Sequence, residues 1–215
     1  MKHSKIPEPT IRRLSKYFRC LEQMEQERKR MISSSKLANK CIVKATTVRK
    51  DLNYFGELGT RGSGKGYYVK DLFYKIRRIL GLNKEWRVAV IGIGDLGSSL
   101  LGYKDLLKQG YKIVAAFDID PSRVIGRVSE KLGEPVEVLH ISRIKEVAKE
   151  RKIQIGLITA PASSAQAVAD LLVESGVKGI LNFAPAQITV PKGFVVKDVF
   201  FTTNLDNLAY LLSNI

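Results

Sequence analysis

The chain has 215 residues, of which 45% are hydrophobic and 27% charged, and its formal net charge is +15. This length fits one large domain or two small ones, and the hydrophobic content is ample for ordinary cores. No run of about 18 apolar residues occurs, which disfavours a membrane span. The basic N-terminus lacks the apolar segment of a secretory signal, so we expect a cytoplasmic protein.

The positive charge is concentrated near the N-terminus. Residues 1–84 contain 21 Lys and Arg against 7 Asp and Glu, whereas residues 85–215 contain 15 against 14. This split predicts two domains, of which the first binds a polyanion. Nucleic acid is the leading candidate. A membrane surface is a weaker one, because no basic amphipathic anchor with exposed bulky apolar residues is evident.

The first predicted element is an amphipathic helix over residues 10–30, in which apolar residues recur every three or four positions. Thr10 is its predicted N-cap. A short helix over residues 34–41 follows, with Ser33 or Ser34 as its cap. The two cysteines lie in these helical segments and are expected to be reduced thiols. They are Cys20 and Cys41.

A third predicted helix spans residues 45–56 and ends at Gly56. Its apolar stripe consists of Val48, Leu52 and Phe55. A separate arc, within roughly 100° of the helix circumference, consists of Thr46, Arg49, Lys50 and Asn53. A recognition helix needs such a face, with cations for phosphates or guanine and hydroxyl and amide groups for base edges. A solvated helix surface is the alternative.

Residues 58–69 then contain four glycines, with strand-like ends at residues 58–60 and 67–69, which predicts a hairpin with a flexible tip. Arg61 and Lys65 at this tip would enter a minor groove, where the potential is most negative; incidental loop charges are the alternative. The three helices and the hairpin together predict a winged helix-turn-helix. A helix over residues 71–82 completes it.

The second domain begins with a buried strand from Trp86 to Ile91, followed by a helix over residues 95–110. Between them lie the glycines of a G-x-G-x-x-G turn, which typically cradles a dinucleotide. These are Gly92, Gly94 and Gly97. Asp118 ends the next strand, 21 residues after the last glycine. Its carboxylate would bind an adenosine ribose diol and repel a 2′-phosphate, which favours NAD over NADP.

Strands and helices continue to alternate, which predicts a doubly wound parallel sheet. Residues 159–161 and 183–185 follow two of the strands, and such folds bind ligands at the carboxyl ends of their strands; ordinary loop prolines are the alternative. Residues 204–215 form a last amphipathic helix, whose apolar stripe needs a partner surface such as another subunit. The stripe is Leu205, Leu208, Leu211 and Leu212.

No residues point to an active site. His3 and His140 are isolated, and no Cys, His or Asp cluster has metal-ligand spacing. Tyr103 lacks an assisting lysine four positions on, because Leu107 is there. We expect no enzyme, no catalytic residue and no metal, with the nucleotide as ligand rather than reagent. A small NAD-dependent oxidoreductase is the alternative.

Several segments together resemble the Rex family of bacterial redox-sensing transcriptional repressors. They are VRKDLNYFGELGTRG, GIGDLG, FDIDP, TAPA and KGILNFAP. The resemblance runs from about Ile6 to the C-terminus. It implies a homodimer in which residues 1–84 form a winged-helix DNA-binding domain, residues 85–200 a Rossmann NAD(H)-binding domain, and residues 201–215 a dimerisation helix exchanged between subunits. It also implies binding to an inverted-repeat operator in double-stranded DNA, release by NADH, and no membrane partner.

The motifs and the resemblance together assign residues to each ligand. The NAD(H) site would consist of Gly92, Gly94, Asp95, Leu96, Gly97, Tyr103, Asp118, Ile119, Thr159, Ala160, Pro161, Phe183, Ala184 and Pro185. The DNA-binding residues would be Thr46, Thr47, Arg49, Lys50, Asn53, Tyr54, Arg61 and Lys65. Arg19 and Tyr103 would form an interdomain switch.

The chain departs from the family pattern in two places. Family members commonly carry an acid where this chain has Phe200, and that acid completes a network with the switch residues. Asp198, two residues earlier, would face the other side of a strand. A DNA-binding repressor with a structural, non-sensing nucleotide is therefore a further alternative. The hairpin tip RGSGKGY also exceeds the usual R-G-x-G-Y by a glycine and a lysine, which would either deepen the minor-groove contact or loosen it.

Overall fold

The computed structural model describes residues 6–56, 66–123 and 136–214. The chain divides into two compact units, Met1–Lys84 and Glu85–Ile215, and each is described by itself. Within the described ranges, no helix is both long and apolar enough to cross a membrane.

The first unit is a winged helix-turn-helix, as predicted. Its described helices are α1 (Glu8–Gln26), α2 (Ser34–Cys41), α3 (Ala45–Asn53) and α4 (Val69–Ile79), and its described strands are β1 (Met31–Ile32) and β2 (Tyr67–Tyr68). Ser33 caps α2 as expected, since its side chain accepts a hydrogen bond from the backbone N–H of Lys36. Apolar residues of all four helices meet in one core. Fully buried members are Leu14, Leu21, Leu37, Val48, Leu72 and Ile76.

The N-cap predicted at Thr10 is wrong. α1 begins two residues earlier, with Pro7 as its N-cap and Pro9 in its first turn, where a proline's missing N–H is not needed. The Thr10 side chain is instead buried and donates a hydrogen bond to Asp51. The helix also ends at Gln26 rather than at residue 30, and Arg28 adopts a left-handed conformation with φ of 55°.

The sequence did not predict the strand that pairs with Tyr67–Tyr68, the described arm of the expected hairpin. Tyr67–Tyr68 pairs antiparallel with Met31–Ile32, a strand too short to show an alternating pattern in the sequence. Val69, predicted to end a strand, begins α4. The other predicted arm, residues 58–60, and the tip residues Arg61 and Lys65 lie outside the described residues.

The second unit is built on a parallel sheet. Its described strands are β3 (Trp86–Ile91), β4 (Tyr111–Asp118), β5 (Val138–His140), β6 (Ile155–Ile158), β7 (Gly179–Asn182) and β8 (Val195–Asp198). Its described helices are α5 (Asp95–Leu101), α6 (Asp105–Lys108), α7 (Ile144–Glu150), α8 (Ala165–Glu174) and α9 (Phe201–Leu212), with 3-10 turns at Pro121–Arg123, Ile141–Arg143 and Ala162–Ser164.

The strand order is β5-β4-β3-β6-β7-β8, and every neighbouring pair is parallel. This is the Rossmann order, which confirms the predicted fold class. The order in which successive strands are added to the sheet changes direction between β3 and β6, although these two strands are parallel. Both faces of the sheet are covered: Ala89 and Ile91 of β3 belong to one core cluster, and Val88 and Val90 to another. Burial on both faces explains the continuous apolar runs of the strands.

Two helices of this unit differ from the prediction. The helix expected over residues 95–110 is interrupted after Leu101, so that α5 and α6 are separate pieces. Gly102 at the interruption is a poor helix former, which weakens the continuous helix that the apolar pattern suggested. The terminal helix begins at Phe201, three residues earlier than expected. The side chains of its predicted stripe are all more than half exposed, and their exchange between subunits remains a prediction.

Candidate functional site

The glycine-rich turn joins β3 to α5 at the point where the strand order reverses. Gly92 has a φ of +94°, and a Cβ there would lie 2.8 Å from the backbone nitrogen of Ala160. A Cβ on Gly97 would lie 2.1 Å from the carbonyl oxygen of Gly92. A Cβ on Gly94 would meet no atom within 4 Å. Two glycines therefore allow the backbone to pack closely, whereas the third leaves open space that a pyrophosphate can enter.

The predicted acid lies beside this turn. One carboxylate oxygen of Asp118 accepts the backbone N–H of Ile93 at 2.6 Å, and the other accepts that of Asp120 at 2.9 Å. These two bonds fix the carboxylate against the turn and leave acceptor capacity on both oxygens. It is therefore suited to a vicinal diol and unsuited to a second phosphate, which it would repel.

A cleft of about 800 Å³ opens at these strand ends. The predicted nucleotide-site residues that line it are Gly92, Gly94, Leu96, Asp118, Ile119, Thr159, Ala160, Pro161, Phe183, Ala184 and Pro185. Three predicted residues lie outside this lining: Gly97 is buried beneath the turn, and Asp95 and Tyr103 are exposed. The volume and the mainly apolar walls suit a ligand of nucleotide size.

Six further residues line the cleft, and the sequence did not assign them to the nucleotide site. They are Ile91, Ile93, Asp120, Ile141, Ser164 and Val168. Ile93 and Asp120 are neighbours of predicted residues within the same motifs. Ile141 follows β5, and the rule that ligands bind at carboxyl ends of strands applied to it as well.

Two polar side chains hold the far wall of the cleft. Thr159 donates from its hydroxyl to the carbonyl oxygen of Gly92 at 2.6 Å, which fastens the loop after β6 to the glycine turn. Asn182 is completely buried; its amide donates to the carbonyl of Ala186 and to Asp198, both at 2.8 Å, and its oxygen accepts the N–H of Ala184 at 3.0 Å. This supporting role of Asn182 was also missed, although an asparagine inside an apolar strand indicates one.

In the first unit, α3 exposes its predicted polar arc. Thr46, Arg49, Lys50 and Asn53 all face solvent, and Tyr54 is 53% exposed. Thr47 is half-buried. Val48 and Leu52 of the opposite stripe are buried, so the two faces are separated as the period predicted. Arg49 also donates a hydrogen bond to the Ser34 hydroxyl at 3.1 Å, which links α3 to the start of α2.

A buried carboxylate lies beneath this face. Asp51 is 2% exposed and accepts four hydrogen bonds. The donors are Arg13 Nε at 2.6 Å, Arg13 Nη2 at 2.7 Å, the Tyr17 hydroxyl at 2.9 Å and the Thr10 hydroxyl at 3.1 Å. Burial alone would raise the pKa of Asp51, but the bonds from Arg13, Tyr17 and Thr10 together hold it below its usual value. The network was missed, although an acid between Val48 and Leu52 in the apolar stripe indicates a buried partner.

The predicted switch residues belong to different units. Arg19 pairs with Glu22 at 3.2 Å and lies 5.2 Å from the centre of the Phe18 ring. Tyr103 lies in the break between α5 and α6. Phe200 is the N-cap residue of α9, and Asp198 accepts the hydrogen bond from Asn182. The contact between Arg19 and Tyr103 remains a prediction.

Metal ligation has no candidate site in the described ranges, where no three His, Cys, Asp or Glu side chains are grouped so that they could hold an ion. Cys20 and Cys41 are free thiols. Burial raises the pKa of both, that of Cys41 to about 11.

Known proteins resemble both units. A model of the putative DNA-binding protein N-terminus matches residues 5–53, and a CoA binding domain model matches residues 83–186. The second model covers the glycine turn and both loops that wall the cleft.

Relatives match over the whole length. The chain is 46% identical over 213 residues to the redox-sensing transcriptional repressor Rex of Syntrophobacter fumaroxidans, covering 99% of each protein. It is also similar to the crystal structure of RSP, a Rex-family repressor. In complex with NADH, RSP gives a TM-score of 0.85 at 33% identity, covering 98% of this chain and 96% of RSP. In complex with NAD⁺ and operator DNA it gives 0.88 at 34% identity, covering 98% and 94%. The sequence resemblance is thus confirmed, and the chain belongs to the Rex family of redox-sensing transcriptional repressors.

Proposed function

We propose that the protein is a cytoplasmic repressor that binds an inverted-repeat operator as a homodimer and releases it when NADH binds. One observation carries the proposal: the chain joins an exposed cationic helix face to a cleft whose glycine turn and acid suit a dinucleotide. RSP, in complex with NADH and with NAD⁺ and operator DNA, supports both ligands. The Rex family consists of repressors, which confirms the expectation that the protein is not an enzyme.

The nucleotide would be held mainly by backbone. The open space at Gly94 would admit the pyrophosphate, and Asp118 would bind the adenosine ribose. The loops at residues 159–161 and 183–185 would line the rest of the site. Because Asp120 also lines the cleft, a 2′-phosphate would meet two carboxylates, so we expect NADPH to bind more weakly than NADH.

The DNA would be held mainly by side chains. α3 would enter the major groove, with Arg49 and Lys50 at phosphates or guanine and Thr46 and Asn53 at base edges. Two subunits would read half-sites about one helical turn apart, or a multiple of it.

Release requires that NADH bind more tightly to the dimer that does not fit DNA than to the one that does. A nucleotide held equally by both states would leave operator affinity unchanged, however tightly it bound. NAD⁺ carries a charge on its ring that NADH lacks, so a cleft with mainly apolar walls has a physical basis for distinguishing the two forms.

The test is a titration of NADH against the protein bound to an inverted-repeat duplex that it has selected from a random pool. NADH is expected to lower operator affinity at nucleotide concentrations where NAD⁺ and coenzyme A do not. If NADH binds, shown by a separate fluorescence titration, yet operator affinity stays constant, the sensing function is excluded.

A second function is favoured by one residue. Phe200 stands where the family resemblance implies an acid, and its ring cannot accept a hydrogen bond from Arg19. A repressor that binds DNA constitutively, with a structural nucleotide, would give the constant operator affinity described above. Phe200→Asp would then be expected to introduce NADH-dependent release.

A further inference from the structure

A notch in the first unit lies between the start of α1 and the exposed face of α3. It encloses about 550 Å³. Its polar lining comes from Thr10 and Arg13 on α1 and from Thr47, Lys50, Asn53 and Tyr54 on or after α3. Asp51 also reaches it, from beneath.

The carboxylate in this notch is saturated. Asp51 has about four acceptor positions, and the four hydrogen bonds from Arg13, Tyr17 and Thr10 fill them. It therefore fixes the Arg13 guanidinium in place without remaining available to another donor. Arg13 uses Nε and Nη2 on this side and is 27% exposed.

The donors that line the notch are free to bind a ligand. In the described part of the chain, Arg13 Nη1, Lys50 Nζ and the Tyr54 hydroxyl have no hydrogen-bond partner in the protein. With Arg13 and Lys50 positive and Asp51 negative, the notch carries a net positive charge. A guanidinium held in place by a buried carboxylate, with a lysine and a tyrosine lining the same notch, suits an oxyanion, and Arg is suited to phosphate in particular.

We propose that this notch binds one phosphate of the DNA backbone, with Arg13 as its fixed donor and Lys50 and Tyr54 beside it. The proposal rests on the proposed function, in which α3 lies in the major groove. A helix in that groove is flanked by phosphates, whose contacts set the register of the protein on the duplex. Lys50 and Asn53 belong both to the notch and to the exposed arc, so one phosphate beside the groove lies within reach when the arc meets base edges.

The first test replaces the ion pair as a unit. The double variant Arg13→Met with Asp51→Asn keeps the net charge of the protein unchanged and leaves no buried charge without a partner. Its operator affinity is measured from 50 to 300 mM salt. We expect operator affinity to fall about tenfold. When the logarithm of the binding constant is plotted against the logarithm of the salt concentration, we expect the slope to be shallower by about 0.9 per half-site. Arg12→Gln is the control, since Arg12 is exposed on the same helix and pairs only with Glu8 among the described residues. A double variant that matches wild type in slope and affinity would overturn the proposal.

The second test uses wild-type protein and neutral methylphosphonate linkages, placed one at a time along the operator. One linkage per half-site is expected to weaken wild type about tenfold and to have no effect on the double variant, because both changes remove the same contact. If the double variant does not fold, Tyr54→Phe, which removes one exposed hydroxyl, takes its place in this comparison. If the loss caused by each linkage and the loss caused by the double variant add at every position, the notch does not bind a backbone phosphate and the proposal is wrong. Absence of duplex binding by wild type would instead contradict the proposed function itself.

Discussion

The two units present their ligands with different parts of the chain. In the first unit the candidate DNA face is made of exposed side chains on α3, which are supported from beneath by the buried Asp51. In the second unit the central feature of the cleft is backbone, a turn in which two glycines are packed against neighbouring main chain and one borders open space. The charge differs in the same way, since 21 Lys and Arg lie in residues 1–84 and 15 in the longer remainder.

This difference has a physical reason. A polyanion is attracted by long-range charge and read by side chains that reach into a groove. A pyrophosphate in a cleft needs close approach to the main chain, which only residues without a Cβ permit. Truncating side chains should therefore weaken the first function while preserving the fold. Adding a single methyl group should be enough to damage the second.

The largest effect is expected at the glycine turn. In Gly97→Ala, the new Cβ would lie 2.1 Å from the carbonyl oxygen of Gly92, a backbone atom that cannot move aside cheaply. We expect a loss of about 3 kcal/mol or more in the free energy of unfolding of the second unit and loss of NADH binding. Urea denaturation and fluorescence titration measure the two.

Gly94→Ala is the matched control, because its Cβ meets no atom within 4 Å. This variant is expected to unfold at the same urea concentration as wild type and still to bind NADH more weakly, since its methyl group occupies the space left for the pyrophosphate. Equal stability of both alanine variants would mean that the turn is not closely packed.

A nearly equal effect on stability is expected at the one buried carboxylate described in the first unit. Asp51→Ala leaves Arg13 and Tyr17 without their acceptor and should cost about 3 kcal/mol, the low end for breaking a buried pair, because Arg13 is 27% exposed. The folded pKa of Asp51 lies below the usual 3.8. Its contribution is therefore complete above about pH 4 and is lost as the pH falls through the folded value.

Wild type should accordingly lose more stability than Asp51→Asn when urea denaturation is repeated at pH 5 and then at pH 3. A parallel decline of the two proteins would show that folding does not lower the pKa of Asp51.

A smaller effect, on binding alone, is expected from the exposed face of α3. Arg49→Ala and Lys50→Ala should each weaken operator binding by about 1 to 3 kcal/mol and leave NADH affinity unchanged. Lys149→Ala, an exposed lysine of α7 in the other unit, removes the same charge and should have little effect. Full operator affinity in both α3 variants would exclude this helix as the recognition helix.

The smallest effect concerns the turn between α2 and α3. Ile42 has φ of 55° and ψ of 52° and is 92% exposed, so a β-branched residue occupies the left-handed region without burying its side chain. Ile42→Gly should stabilise the first unit by about 1 kcal/mol, since glycine adopts this conformation without strain. Val43→Gly, at the next position and outside the left-handed region, should destabilise it. A rise in melting temperature for the first and a fall for the second would distinguish relief of strain from a general effect of glycine.

The sequence predicted the features that depend on local spacing. The period of apolar residues separated the two faces of α3, with Val48 and Leu52 buried and Arg49 and Lys50 exposed. The glycine pattern and the acid 21 residues later predicted a turn and a strand end that the structure brings together. The alternation of strands and helices predicted a parallel sheet, because connections between parallel strands require crossovers.

Tertiary structure decided what depends on partners far away in the chain. Thr10 looked like a helix cap but bonds to Asp51, 41 positions away, and Asp51 lies buried because Arg13 and Tyr17 are there to receive it. Met31–Ile32 is a strand only because Tyr67–Tyr68 lies beside it. Local conformational preferences are worth a few tenths of a kcal/mol per residue. In contrast, a buried charge must be paired or hydrogen-bonded, and the backbone of a strand must hydrogen-bond to a neighbouring strand. These stronger requirements are met by residues that no short window of sequence contains.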